Sequence, residues 1–186
     1  MITIDLTHTK TLKDFYSEIK SAHQKAHGDL YVAHHDKMVE LAAECVSYRE
    51  LGVMQGATAA AVVLAGIRDI HLIDINMSRF KPYKHLFESH VDTFNVVAES
   101  SIKNNPLNDR PVDMLLIDSL HNASHVKAEL RVHAPSVKKY ILFHDTNSIN
   151  AIRKVVDNFV KDNPQWKLIE HFSQNVGYSL IGKVNA

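Results

Sequence analysis

Glu50-Leu51-Gly52-Val53-Met54-Gln55-Gly56-Ala57-Thr58 is the stretch on which the reading of this chain turns. Residues 45–51 before it suit a buried strand, and residues 59–65 after it form an apolar helical run. Strand, glycine turn and helix in that order let backbone N–H groups approach a ligand closely. The chain has only six glycines, and two of them stand four apart at this one junction. A plain connection from strand to helix is the competing reading.

The next strand bears on that choice. Ile70-His71-Leu72-Ile73 ends in Asp74, 22 positions after Gly52. In doubly wound folds an acidic residue about 20 positions after the glycine turn sits at the neighbouring strand end and accepts ribose hydroxyls. The turn reads Gly-x-x-x-Gly and lacks the Gly-x-Gly-x-x-Gly that suits a dinucleotide pyrophosphate. The pattern therefore fits an adenosine ligand without phosphates, whose amino-acid end carries both charges, better than it fits NAD.

Outward from this turn, short apolar runs alternate with amphipathic helical stretches, as expected of a sheet wound with crossover helices. Strands are expected over 45–51, 69–75, 94–98, 112–117, 140–143, 166–172 and 176–181. Helices are expected over 57–65, 83–90, 124–134 and 148–162. The last two strands are separated only by Ser173-Gln174-Asn175, too few residues for a helix, so they should form an antiparallel hairpin. Ahead of the first strand, residues 9–27 and 31–43 read as two helices broken at Gly28-Asp29. The expected architecture is α/β: a Rossmann-like doubly wound sheet of about seven strands, mostly parallel with a C-terminal antiparallel hairpin. An N-terminal helical extension (1–44) precedes the sheet domain (45–186).

Bulk composition narrows the function. The 186 residues carry 21 basic and 21 acidic side chains, for a formal net charge of zero, and 45% of them are hydrophobic. Phosphate contacts are driven by excess basic charge, so a nucleic-acid partner is not expected. Cys45 is the single cysteine, which rules out an intrachain disulfide and a cysteine-based zinc cage. No apolar run approaches the roughly 20 residues that span a membrane. Met1-Ile2-Thr3-Ile4-Asp5 lacks a basic start followed by an apolar stretch, so no signal peptide and a cytoplasmic location are expected. Thirteen histidines are many. Most, including His8, His23, His27, His71, His85, His90, His133 and His171, stand singly and read as surface or packing residues.

Two later strands end in polar clusters, Ile117-Asp118-Ser119-Leu120-His121 and Phe143-His144-Asp145-Thr146. Open α/β sheets bind ligands outside the carboxyl ends of their strands, so both clusters should face one crevice. Three chemistries fit them. Asp118, His144 and Asp145 could hold a divalent cation, with oxygen donors suiting Mg²⁺ or Mn²⁺. His121 could serve as general base toward an acceptor hydroxyl. His121 and His125, four apart at a helix start, could pair on zinc. Helix capping and turn formation remain the bland alternative for both aspartates.

These motifs occur in order, together with a late Asn175-Val176-Gly177-Tyr178 segment, and at these residues the sequence resembles class I S-adenosylmethionine-dependent methyltransferases. It is most similar to the branch of cephalosporin-hydroxylase-like and macrocin-type O-methyltransferases, over about residues 45–183. The resemblance implies that Glu50, Gly52 and Gly56 contact the methionine portion and that Asp74 holds the ribose. Glu99-Ser100-Ser101 falls where adenine contacts lie, and Asp118 and Asp145 match carboxylates that bind Mg²⁺ in metal-dependent relatives. Gln55, Thr58, Ser100 and Asp118 complete the expected cofactor set, with His121 or His144 taking the proton. The implied reaction is methyl transfer from S-adenosyl-L-methionine to a hydroxyl of a small molecule; a homo-oligomer is compatible with it. Two other classes stay open. One is a domain that binds the cofactor without transferring the methyl group, as a sensor, a partner subunit or a cofactor-degrading enzyme. The other is a metal-dependent hydrolase using Asp118, His121, His144 and Asp145.

Overall fold

A computed structural model describes residues 4–184. Seven strands form one sheet in the order β3-β2-β1-β4-β5-β7-β6. They are β1 (Ser47–Leu51), β2 (Asp69–Asp74), β3 (Thr93–Ala98), β4 (Val112–Ile117), β5 (Val137–His144), β6 (Trp166–Phe172) and β7 (Tyr178–Lys183). β1 to β5 pair in parallel, and β7 runs antiparallel to both β5 and β6. The expected C-terminal hairpin is therefore present, with β7 inserted between β5 and β6.

Alternation along the central strands divides the core into two layers, because successive side chains point to opposite faces. Tyr48, Leu72, Met114, Leu116 and Leu142 face one layer, which is covered by α1 (Leu12–His27), α2 (Ala33–Ala42) and α3 (Ala57–Leu64). Leu51, Ile73, Leu115, Ile117, Ile141 and Phe143 face the other, under α5 (Ala123–His133) and α6 (Asn150–Asp162). Leu12, Phe15, Ile19 and Met38 of the N-terminal helices belong to the same buried cluster as the sheet residues, so these helices share the main core.

Element ends differ from the sequence expectation for local reasons. The expected helix over 83–90 reduces to α4 (His85–Glu88) after a 3-10 turn over Lys81–Tyr83, where Pro82 supplies no N–H. β5 starts at Val137, three residues early, because Val137 pairs with Val112 of β4; the charged Lys138-Lys139, which interrupts the apolar run, falls in the register shift before Tyr140 pairs with Met114. β1 starts at Ser47, since the Val46 amide donates to the Asp113 carboxylate at 2.8 Å instead of to a neighbouring strand. β7 starts at Tyr178, as the Val176 carbonyl accepts from the Asn147 and Ser148 amides, each at 3.0 Å.

Candidate functional site

The chain runs from β1 outward to β2 and β3 and then returns to β4 on the other side of β1. The crevice between the carboxyl ends of β1 and β4 is thus the point where winding reverses, the place where such sheets bind ligands. A cavity of about 460 Å³ opens there. That volume lies within the range of small-molecule and cofactor sites.

Its floor is the glycine turn. Gly52 has φ +87°, and a Cβ built on it would lie 2.2 Å from the Asp118 carbonyl oxygen, so only glycine lets β1 pass the end of β4 this closely. Glu50, one residue inside the strand, is buried, and its Oε2 accepts from the Tyr48 hydroxyl at 2.8 Å. Burial pushes the Glu50 carboxyl well above the ordinary range; Tyr48 and the Ala59 amide oppose that rise, while Asp118 and Asp74 add to it. No ion pair to Glu50 exists among the described residues.

Gln55, Thr58, Asp74, Ser100 and Asp118 also line the cavity. Gly56 does not: a Cβ there would meet the Phe80 ring at 2.8 Å, so this glycine serves packing beneath the turn. Its neighbours Gln55, Ala57 and Thr58 line the cavity, whereas Gly56, expected from sequence at the cofactor, stands behind them. Asp74 faces the crevice and also braces the turn. Its Oδ2 accepts from the Val53 and Met54 amides at 2.7 and 3.1 Å, and its Oδ1 from the Asn76 amide at 2.8 Å.

At the other end of the cavity, two strand-end carboxylates meet two imidazoles. His121 Nε2 lies 3.2 Å from Asp118 Oδ1, and its Nδ1 lies 3.0 Å from Asp145 Oδ2. His144 Nδ1 lies 3.0 and 3.5 Å from the same two oxygens. Asp145 has φ +59°, a left-handed backbone that turns the chain into the loop before α6. The charges reinforce each other. Hydrogen bonds to Asp118 and Asp145 hold the proton on His121 and raise its pKa to about 10, against burial. His144 is also raised to about 10: its burial opposes the charge, and the carboxylates override it. Asp145 is held well below the ordinary carboxylate range, since His121 and His144 outweigh its burial, and Asp118 is lowered in the same way.

Asp118, His121 and Asp145 each offer a ligand atom within 4.8 Å of the others. Two carboxylates and an imidazole are donors suited to a divalent cation. The sequence expectation named His144 with the two aspartates; His121 also converges on them, and His144 Nδ1 reaches the same two oxygens. The zinc pairing of His121 with His125 does not form. His121 faces the aspartates, whereas His125 Nε2 points to Ser101 Oγ at 3.1 Å and to Glu129 Oε1 at 3.3 Å.

Several lining residues were not singled out from sequence. His23, Tyr31, His34 and His35, brought in by α1, α2 and the turn between them, close one side of the cavity. The His34 ring lies 4.0 Å from that of His144 and 4.4 Å from that of His35. Burial lowers both His34 and His35, the latter to about 3, so a neutral imidazole wall stands beside the charged His144. The adjacent pair His34-His35, three residues past a tyrosine, was the available signal.

No family model matches this sequence, and no curated protein matches it. Solved structures do match. A putative caffeoyl-CoA O-methyltransferase from Staphylococcus aureus superposes with a TM-score of 0.65 at 14% identity, covering 91% of this chain and 99% of that one. An O-methyltransferase from Bacillus cereus in complex with SAH gives 0.62 at 12% identity, covering 96% and 93%. The N-methyltransferase NodS from Bradyrhizobium japonicum WM9, in complex with S-adenosyl-L-homocysteine, gives 0.60 at 12% identity, covering 81% and 86%. The fold is the Rossmann-like methyltransferase fold, in which O- and N-methyltransferases both occur.

Proposed function

We propose that this protein binds S-adenosyl-L-methionine in the β1–β4 crevice and transfers its methyl group to a hydroxyl of a small molecule. The observation that carries the reading is Glu50. A buried carboxylate without a cationic partner, set beside a glycine turn and facing a cavity, is complementary to the ammonium of an amino-acid ligand. Asp74, one strand over, keeps a lone pair on Oδ1 for a ribose hydroxyl. The structures with similar folds include methyltransferases solved with the demethylated cofactor, which supports the same assignment.

In this reading the acceptor enters between the neutral imidazole wall and the Asp118–His121–Asp145 group. The chain's contribution is to position the acceptor oxygen in line with the methyl group and to exclude water. Asp118, Asp145 and His121 would hold a divalent cation, Mg²⁺ being the sequence expectation, whose role when bound is to lower the hydroxyl pKa. His144, against both carboxylates, holds a proton at Nδ1. A cytoplasmic location and a small-molecule partner belong to the same proposal; no helix among the described residues is long and apolar enough to cross a membrane.

One observation favours a second reading, cofactor binding without transfer. His121 and His144 are both held protonated by the aspartates, and an imidazolium is not a base. The test separates the two. S-adenosylhomocysteine should raise the melting temperature, because a ligand bound only by the folded state stabilises it. Labelled S-adenosylmethionine with a panel of small phenols and alcohols, with and without Mg²⁺, should then give methylated product. Loss of turnover with retained binding in Asp118→Asn plus Asp145→Asn supports transfer at this cluster. Binding with no product across the panel supports the second reading, and no thermal shift at millimolar ligand ends both.

A further inference from the structure

A buried acid behind the far end of the cavity has no part in the chemistry above. Glu129, on the inward face of α5, is fully buried, and its Oε1 gathers three neighbours. Ser101 Oγ and Ser119 Oγ each donate to it at 2.5 Å, and His125 Nε2 lies 3.3 Å away. Its other oxygen, Oε2, is buried without a partner. A packing role alone does not call for an acid with one oxygen unsatisfied, since that arrangement costs stability. Ser101, Ser119 and His125 line the cavity, and Glu129 stands directly behind them.

A hydroxyl has one proton to give. With both serine protons committed to Glu129, each oxygen presents only lone pairs on the cavity side. His125 is constrained as well: because the Ser101 proton goes to Glu129, the His125 Nε2 hydrogen is the one that bridges to Ser101 Oγ, 3.1 Å away, with Glu129 Oε1 3.3 Å from the same nitrogen. This end of the cavity is therefore a wall of acceptors, complementary to an N–H donor on the ligand.

The position identifies the donor. Placing the amino-acid end at Glu50 and the sulfonium near the Asp118 cluster sends the nucleoside along the strand ends, past Asp74 on β2. It arrives at Ser101 beyond β3, facing Ser119 beyond β4. We propose that Glu129 is a positioning residue: by orienting the Ser101 and Ser119 hydroxyls as acceptors, it makes this end of the site select the exocyclic amino group of a 6-aminopurine over the carbonyl of a 6-oxopurine. The inference rests on the adenosyl reading of the cavity and adds to it the origin of base selectivity. A 6-oxopurine would set a carbonyl oxygen against the same lone pairs, with neither side able to donate.

Calorimetric titration of the full chain with S-adenosylhomocysteine and with S-inosylhomocysteine tests this, using wild type, Glu129→Gln and Ser101→Ala. Wild type should bind the adenosyl ligand about 30-fold more tightly, the scale of one buried polar group left unpaired. Glu129→Gln puts a donating amide behind the serines, lets one hydroxyl turn its proton into the cavity, and should cut that ratio about tenfold. Ser101→Ala should weaken the adenosyl ligand and leave the inosyl ligand nearly unchanged. It carries the test if Glu129→Gln does not fold, and a ratio preserved in Ser101→Ala overturns the proposal. Equal affinities in wild type overturn the selectivity and leave the adenosyl reading standing. An unchanged ratio in folded Glu129→Gln overturns the role of Glu129. Binding of neither compound overturns this inference together with the reading beneath it.

Discussion

Replacing Gly52 with alanine separates two costs that the structure assigns to one residue. The first is backbone strain: Gly52 sits at φ +87°, which an L side chain adopts at a cost of about 1–3 kcal/mol. The second is collision. The new Cβ would stand 2.2 Å from the Asp118 carbonyl oxygen and 2.6 Å from the Ser119 Cα, and neither is the movable end of a side chain. A carbon and a carbonyl oxygen settle at about 3.3 Å or more, so β1 and β4 must part by roughly 1 Å. The parting falls on the Asp118 amide, which donates to the Leu51 carbonyl at 2.9 Å. Overpacking and a lost hydrogen bond together add about 2–3 kcal/mol. Gly66→Ala is the control, because Gly66 has φ +113° with nothing within 4 Å of its added Cβ and so isolates the strain. Thermal unfolding of the two variants should differ by about 4–12 °C, with Gly52→Ala the lower, at the roughly 2–4 °C per kcal/mol of a chain this size. Only Gly52→Ala should also lose affinity for S-adenosylhomocysteine, since its collision lies on the cavity floor. Melting temperatures within about 2 °C of each other, with equal affinities, would refute the close approach of β1 and β4 on which the site is built.

Glu50→Gln replaces a buried acid, whose charge burial disfavours, with a neutral group of the same shape, so its melting temperature should equal or exceed that of wild type while S-adenosylhomocysteine affinity falls about tenfold; full affinity in a calorimetric titration would remove Glu50 from the site. Arg49→Ala should cost about 3–5 kcal/mol in urea unfolding, because the fully buried guanidinium donates to the carbonyls of Leu107, Asn108 and Arg110, and Arg49→Lys should rescue little, as an ammonium lacks the planar fork. The pH dependence follows from His144, whose burial opposes its proton but whose carboxylate neighbours raise its folded pKa to about 10. Its stabilisation is complete below the unfolded value of about 6.5 and is lost as pH rises through the folded value. The melting temperature should therefore fall between pH 6 and pH 10, less steeply in His144→Gln, and identical slopes in the two proteins would count against the imidazolium–carboxylate cluster.

What the sequence disclosed and what it withheld separate along a physical line. All parallel strands end on one edge of the sheet, so Glu50, Asp74, Asp118 and Asp145 could be assigned to one crevice from chain order alone, and all four line it. Helices carry no such constraint. Which face of α5 turns inward depends on packing against β4 and α6, so the approach of Glu129 to Ser101 and Ser119, 28 and 10 positions away, had no periodic signal. The same holds for His23, His34 and His35, whose place at the cavity depends on how α1 and α2 fold back across α3. Arg49 was hidden differently: an arginine inside a buried strand reads as an interruption, and the carbonyls that justify it lie some sixty positions downstream. On the proposed reading, strand-end residues support the methyl transfer, while helix-borne residues select the base and the acceptor. The solved structures of similar fold include both O- and N-methyltransferases, so if the proposed transfer holds, the choice of acceptor rests with the α1–α2 wall: His34→Ala or His35→Ala should change which members of the small-molecule panel give labelled product more than they change the affinity for S-adenosylhomocysteine, and an unchanged product pattern would count against that wall as the acceptor site.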